Sequence, residues 1–224
     1  MIKALIFDFD GLILETETPI YNTWHEVYRS FGCKLPLDAW VTLIGGENSP
    51  FDPFTELEKQ VGHPLNETAI EPPRRKHEMA LIEAQPILPG VKQYLKDAKQ
   101  LDLKIGLATS STHAWVTGHL TRLGLIDYFD CIQSRDDVRR VKPTPEVYQN
   151  VIDKLAVHPN EAIAFEDSPN GIKAAKSAGL FCVAVPNDMT RNLNLNQADL
   201  ILSSLLDMPL SEVIARVENN HRGL

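Results

Sequence analysis

The sequence predicts an α/β fold: a doubly wound parallel sheet with a small all-helical cap domain inserted after the first strand. Three observations carry this. Ala4 to Phe7 is a short apolar run ended by Asp8-Phe9-Asp10-Gly11, which reads as a buried strand running into a turn. From Pro86 onward, apolar runs alternate with helical stripes, as parallel βα units do. From about residue 17 to residue 84 the periodicity is helical, with no convincing strand. The expected division is a core of residues 1–16 and 85–224 and a cap of residues 17–84.

Composition limits the function. A chain of 224 residues suits one large domain, or a large one with a small one. A net charge of -8 offers no basic field for nucleic acid. Cys33, Cys131 and Cys182 form no CxxC, so the expectation is a reducing cytoplasm and no disulfide framework. The amino-terminal apolar run is cut by Asp8, which fits neither a signal peptide nor a membrane span. His113 and His119 would not share a helix face, and no HExxH occurs, which disfavours zinc. The expected partner is a small molecule, and nothing demands more than a monomer.

In the cap, Thr18 is read as an N-cap with Pro19 at the first helical position, and Ile20, Trp24, Val27 and Phe31 form the stripe up to Gly32. A second piece carries Leu37, Val41 and Ile44 and stops at Gly45-Gly46. Asp52-Pro53 opens a third, closed by Gly62. Asn66 caps a fourth, which Pro72-Pro73 is expected to interrupt before it resumes through Arg74-Arg75-Lys76-His77, a run read as a solvated face.

In the core, Val91, Tyr94, Leu95, Ala98 and Leu101 make a helical stripe. Lys104 to Thr109 is a strand, and Ser110-Ser111-Thr112 opens a helix ended by Gly124. Cys131 to Gln133 is a short strand, and Thr144-Pro145 starts a helix. Ala162 to Phe165 is a buried strand closed by Glu166-Asp167, and Ser168-Pro169 caps a helix ended by Gly179. Phe181 to Val185 and Asp199 to Leu202 are two more strands, and Ser211 caps the last helix.

Ligands of open α/β sheets bind outside the carboxyl ends of the strands. Those ends carry Asp8 and Asp10, then Thr109 before a helix start, then Glu166 and Asp167, with Lys142 in a loop between the last two. Alternation along an extended chain puts Asp8 and Asp10 on one face. Four crowded carboxylates repel, and a divalent cation with oxygen ligands such as Mg²⁺ resolves the conflict. A metal, an ammonium, a hydroxyl and helix-start amides together suit phosphoryl transfer. Each residue alone has a plainer reading: Lys142 as a loop lysine, Thr109 and Glu166-Asp167 as helix caps.

The chain resembles the haloacid dehalogenase-like hydrolase superfamily, and within it the β-phosphoglucomutase-like group with an inserted helical cap on a Rossmann-like core. Asp8-Phe9-Asp10-Gly11 is similar to its DxDG motif, Thr109 to its second-motif Ser or Thr, and Lys142 to its third-motif Lys. Glu166-Asp167-Ser168-Pro169-Asn170-Gly171 is similar to its acidic fourth motif. The resemblance implies Asp8 as a nucleophile that becomes an aspartyl phosphate, and Asp10 as acid and base. It implies Mg²⁺ on Asp8, the Asp10 carbonyl and Asp167, with Glu166 ligating directly or through water. Thr109 and the Ser110 amide would bind phosphoryl oxygens, and Lys142 would neutralise charge. Gly46, Arg75 and Lys76 are the cap's candidate substrate contacts.

The expected function is a Mg²⁺-dependent phosphatase of a small phosphorylated metabolite. Two alternatives stay open: a phosphosugar mutase on the same scaffold, and a phospho-ligand binding protein without turnover. The β-phosphoglucomutases carry a His and an Arg where this chain aligns Ile20 and Ser49, which favours net hydrolysis.

Overall fold

The computed structural model describes residues 1–45 and 49–222. Its centre is a six-stranded sheet, parallel throughout: β1 (Ala4–Phe7), β2 (Lys104–Ala108), β3 (Cys131–Gln133), β4 (Ala162–Glu166), β5 (Phe181–Ala184) and β6 (Leu200–Ile201). Their order is β3-β2-β1-β4-β5-β6. The order reverses at β1, which pairs with β2 on one side and β4 on the other, Phe7 standing opposite both Leu107 and Phe165. That reversal opens a crevice at the carboxyl end of β1, where doubly wound sheets bind ligands.

The strands are apolar between their ends because both faces of the sheet are covered, with Lys104, Gln133 and Glu166 only at strand termini. Leu5, Phe7, Ile105, Leu107, Ile163 and Phe165 face one way. They pack under α5 (Val91–Gln100), α6 (His113–Arg122) and α9 (Leu210–Arg222). Ala4, Ile6, Ala162, Ala164 and Cys182 face the other way, against α7 (Glu146–Leu155) and α8 (Pro169–Ser177). That second face is rich in small residues, and the helix comes close: a Cβ on Gly106 would lie 2.4 Å from Val151 Cγ1.

Between β1 and β2 the chain is helical: α1 (Glu17–Ser30), α2 (Leu37–Trp40) with a 3₁₀ turn to Leu43, α3 (Pro53–Val61) and α4 (Glu67–Glu83). These helices surround their own apolar cluster of Trp24, Tyr28, Leu35, Trp40 and Leu57. The two connections to the sheet run side by side, with Leu14 bridged to Ile87 and the Leu88 amide donating to the Ile13 carbonyl at 2.9 Å.

Several local expectations are corrected. α4 is not interrupted at Pro72-Pro73. Two proline rings remove two helical donors, but tertiary anchors on the following turns hold the axis. One anchor is Ile82, fully buried; the other is Arg74, which is buried rather than solvated. Its guanidinium donates to Glu71 at 3.0 Å and to Glu78, and lies 4.5 Å over the Trp24 ring. α1 begins two residues early, at Glu17 after Thr16, because Glu15 accepts the Thr18 amide at 3.0 Å and so caps the first turn. α9 begins at Leu210, which puts Ser211 inside its first turn.

Leu57 is completely enclosed in the helical cluster. Leu57→Ala is expected to destabilise those helices by about 2–5 kcal/mol through lost burial and a cavity. Amide exchange should accelerate across α1–α4 while β1 and β4 stay protected. Uniform loss of protection across the sheet would show that the cluster is not a separate unit.

Candidate active site

The site begins where β1 ends. The Asp8 amide still donates to the Phe165 carbonyl at 3.0 Å, so Asp8 extends the ladder and projects from the sheet edge. The chain then turns tightly, with the amides of Ile13 and Leu14 both donating to the Phe9 carbonyl. Gly11 has φ +75°, and a Cβ there would lie 2.3 Å from Asp167 Oδ2, so both conformation and space require glycine.

Lys142 reaches this point from the loop before α7. Its ammonium lies 2.7 Å from Asp8 Oδ1 and 2.6 Å from Glu166 Oε1. It is fully buried with both partners and sits 5.2 Å over the Tyr148 ring. Glu166 is saturated: Tyr148 donates to Oε1 at 2.7 Å, and the Asp167 amide donates to Oε2 at 3.1 Å. It packs directly on α8, where a Cβ on Gly171 would lie 2.0 Å from its carboxyl. Asp167 Oδ2 accepts from Asn187 Nδ2 at 2.8 Å, and Asn187 also donates to the Gly11 carbonyl.

Oxygens of Asp8, Glu166 and Asp167 lie within 4.8 Å of one another. Burial first, then the Glu166 charge, pushes Asp8 up to about 7 against the opposing pull of Lys142. Burial, then Asp8 and Glu166, push Asp167 well above the usual carboxylate range. Burial disfavours the Lys142 ammonium, but Asp8 and Glu166 outweigh it and raise its pKa. One ammonium does not balance this cluster. Asp8 Oδ2 and Asp167 Oδ1 accept from no donor among the described residues, whereas Lys142 and Asn187 take the other two oxygens. This buried, oxygen-only set fits a hard divalent cation such as Mg²⁺.

Asp10 stands apart from that cluster. Its Oδ1 accepts from Thr16 Oγ1 and from the Trp115 indole, each at 3.0 Å, and its Oδ2 accepts from Ser111 Oγ at 2.5 Å. Thr109 is buried at the end of β2, and its hydroxyl accepts the Ser111 amide at 3.0 Å. The Ser110 hydroxyl is buried without a partner among the described residues. A cavity of about 320 Å³ lies over these groups, walled by Glu17, Ile20 and Leu43 on the helical side and by Arg135 on the core side. Ile44 and Gly45 seat against α8, the Ile44 carbonyl accepting from Asn170 at 3.1 Å.

The structure thus brings Asp8, Asp10, Thr109, Ser110, Lys142 and Asp167 to one cavity, with Glu166 just beneath. It does not bring Arg75 or Lys76 there: both are exposed on α4, and Arg75 pairs with Glu71 on its own helix at 2.9 Å. Gly46 lies outside the described residues. Sequence reasoning missed Thr16, Glu17, Ser111, Trp115 and Asn187. Asn187 follows β5, so the strand-end rule extended to one more strand finds it.

A profile of the haloacid dehalogenase-like hydrolase family matches residues 5–185. The chain belongs to that family. Among its haloacid dehalogenase-like relatives is YhcW of Bacillus subtilis, whose name assigns it provisionally to the phosphatases. It is 46% identical over 221 residues, covering 99% of this chain and all of that protein. The phosphorylated carbohydrates phosphatase of Thermotoga maritima is 32% identical over 181 residues, covering 80% of this chain and 82% of its own. A crystal structure of β-phosphoglucomutase from Clostridium difficile has a TM-score of 0.77 at 27% identity, covering 98% of this chain and 99% of that one.

Glu17 is the acid on the helical wall. Burial, then Asp10, Glu15 and Asp8, push it up to about 8. A folded value above the unfolded one means stability is fully present below about pH 4.5 and is lost as pH rises through about 8. Glu17→Gln should therefore melt like the parent at pH 5 and be more stable at pH 8.5, by about 1–3 kcal/mol. Thermal melts in excess chelator at the two pH values test this. An equal difference at both would show that the Glu17 charge is not the cause.

Proposed function

We propose that this chain is a Mg²⁺-dependent phosphatase that hydrolyses a small phosphorylated metabolite through an aspartyl phosphate on Asp8. The observation that carries the reading is the pairing at the end of β1. Asp8 is held by Lys142 at 2.7 Å beside the acidic cluster, while Asp10, one residue away from it across Phe9, is held by a separate set of donors. Two carboxylates on one turn are thereby given different environments, as a nucleophile and a proton carrier require.

In the first half-reaction an Asp8 oxygen attacks phosphorus. The bond from phosphorus to the leaving oxygen breaks, and Asp10 gives that oxygen a proton. In the second half, water displaces Asp8 while Asp10 takes a proton from it, so inorganic phosphate leaves and Asp8 returns as a carboxylate. Thr109 and the Ser110 amide bind phosphoryl oxygens, and Lys142 offsets their charge. Asp8, the Asp10 carbonyl and Asp167 would hold Mg²⁺, with Glu166 positioned behind them through Lys142. When bound, the metal supplies charge stabilisation to the phosphoryl group.

Residues 17–84 act as a cap that encloses the substrate, hinged at the paired connections near Leu14 and Ile87. Closure excludes water during the first step, and opening admits it for the second. The names of relatives, among them hexitol phosphatase B of Escherichia coli at 29% identity, favour a phosphorylated carbohydrate or polyol. Among the described residues no helix is long and apolar enough to cross a membrane.

Hydrolysis is preferred to mutase activity on one observation. Ile20 lines the cavity with no polar group to offer, and the Ser49 hydroxyl is turned to Thr42 at 2.6 Å. Neither position clamps a second phosphate. With β-glucose 1-phosphate, Mg²⁺ and a bisphosphate primer, phosphate release is expected to exceed glucose 6-phosphate formation. Asp8→Asn or excess chelator should lower the release by at least about 10³-fold. Isomerisation without matching phosphate would establish the mutase, and undiminished turnover of Asp8→Asn would remove the aspartyl phosphate.

A further inference from the structure

We infer that Trp115 is a positioning residue that aims the Asp10 carboxyl group in the cavity through its indole N–H. The inference rests on the proposed role of Asp10 and extends it to a residue outside the four motifs. Trp115 lies in the first turn of α6, half-buried in the cavity wall. Its ring packs edge-on against His119 at 4.4 Å, and His119 stacks on Phe9 at 6.1 Å. That packing fixes the indole plane and aims Nε1 at Asp10 Oδ1, 3.0 Å away.

The chemistry of the donors separates the two oxygens. An indole N–H only donates, so the oxygen it faces accepts. Oδ1 is therefore anchored to the core wall of the cavity as the acceptor of the indole. Oδ2 faces the Ser111 hydroxyl at 2.5 Å, and a hydroxyl can donate or accept. Ser111 donates when Oδ2 is bare and can turn to accept when Oδ2 is protonated. The proton given to the leaving oxygen departs from the Asp10 carboxyl, and the proton taken from water returns to it, so the cycle balances on one group.

Trp115 also supplies something Thr16 does not. Thr16 shares Oδ1 but sits where the chain departs into α1, whereas Trp115 and Ser111 belong to the core side of the cavity. Movement of the α1–α4 segment would carry off the Thr16 contact and leave the indole contact in place. Asp10 thus stays aimed while the cavity is open to water.

Trp115→Phe keeps the aromatic packing and deletes the N–H. With 4-nitrophenyl phosphate the leaving group needs no proton, so the nitrophenolate burst should stay within about twofold of the parent. Steady-state turnover, which needs Asp10 to activate water, should fall about tenfold. An alkyl phosphate should lose about tenfold or more in both phases. In an Asp10→Asn background the same substitution should cost less than about twofold, because residues acting through one group are non-additive. Equal loss in burst and steady state, or a full additional tenfold loss on top of Asp10→Asn, would overturn the inference and leave Trp115 as packing alone. Wild-type turnover of Trp115→Phe would overturn it too. If Asp10→Asn itself runs at the parent rate, it is the proposed function that fails. Should Trp115→Phe misfold, a benzothienylalanine placed at position 115 keeps the ring shape with sulfur for N–H, and the same outcomes apply.

Discussion

The buried ammonium of Lys142, shared between Asp8 and Glu166, is the contact on which the rest of the site depends. Removing one partner from such a pair strands an uncompensated charge and typically costs 3–5 kcal/mol. Here the stranded charge would be an acid already pushed up by burial. Lys142 therefore does two jobs with one group. It makes it tolerable to bury Asp8 at the sheet edge, and it places positive charge where a phosphoryl group would arrive. It cannot neutralise three carboxylates alone, and Asp8 Oδ2 and Asp167 Oδ1, without donors among the described residues, suit a cation.

The fold exists around this contact. Strand reversal at β1 puts the end of that strand between the ends of β2 and β4, so Thr109 and Glu166 flank Asp8 without any long reach. Small residues on the face toward α7 and α8 let those helices sit low. Tyr148 from α7 and the Gly171 turn of α8 can then close on Glu166. Asp10 is supplied differently, by a threonine at the root of the helical segment and by two core donors. Its partners come from both sides of the cavity, whereas among the described residues the partners of Asp8 come from the core.

The sheet, its helices and the four converging stretches were legible in the sequence because each rests on a short-range signal. A buried strand is a continuous apolar run, and a ligand site in such a sheet sits at the next residue. What the sequence concealed depends on contacts between distant segments. Pro72-Pro73 reads as a break, but the buried Arg74 pairs with Glu71 and Glu78 and covers Trp24, and that tertiary packing carries the helix through. Thr16 lies in the loop before the expected cap Thr18 with no signal of its own, yet its hydroxyl goes to Asp10. Trp115 and Asn187 carry no motif, since their meaning lies in what they face across more than a hundred residues for Trp115 and Asp10, or twenty for Asn187 and Asp167. Arg75 and Lys76 were candidates by charge alone, and the rotation of α4 turns them to solvent.

The buried acid cluster at the end of β1, with Asp8 and Asp167 in front and Glu166 behind, fits a divalent cation. Calorimetric titration of the protein with Mg²⁺ at pH 6.5, in two buffers of different protonation enthalpy, tests it directly. Asp8 raised to about 7, with Asp167 raised beside it, leaves protons on the cluster at that pH, and the metal must displace them. The expected result is release of about half a proton or more per Mg²⁺ bound at that pH. Binding with no proton release at pH 6.5, or no binding at all, would contradict it.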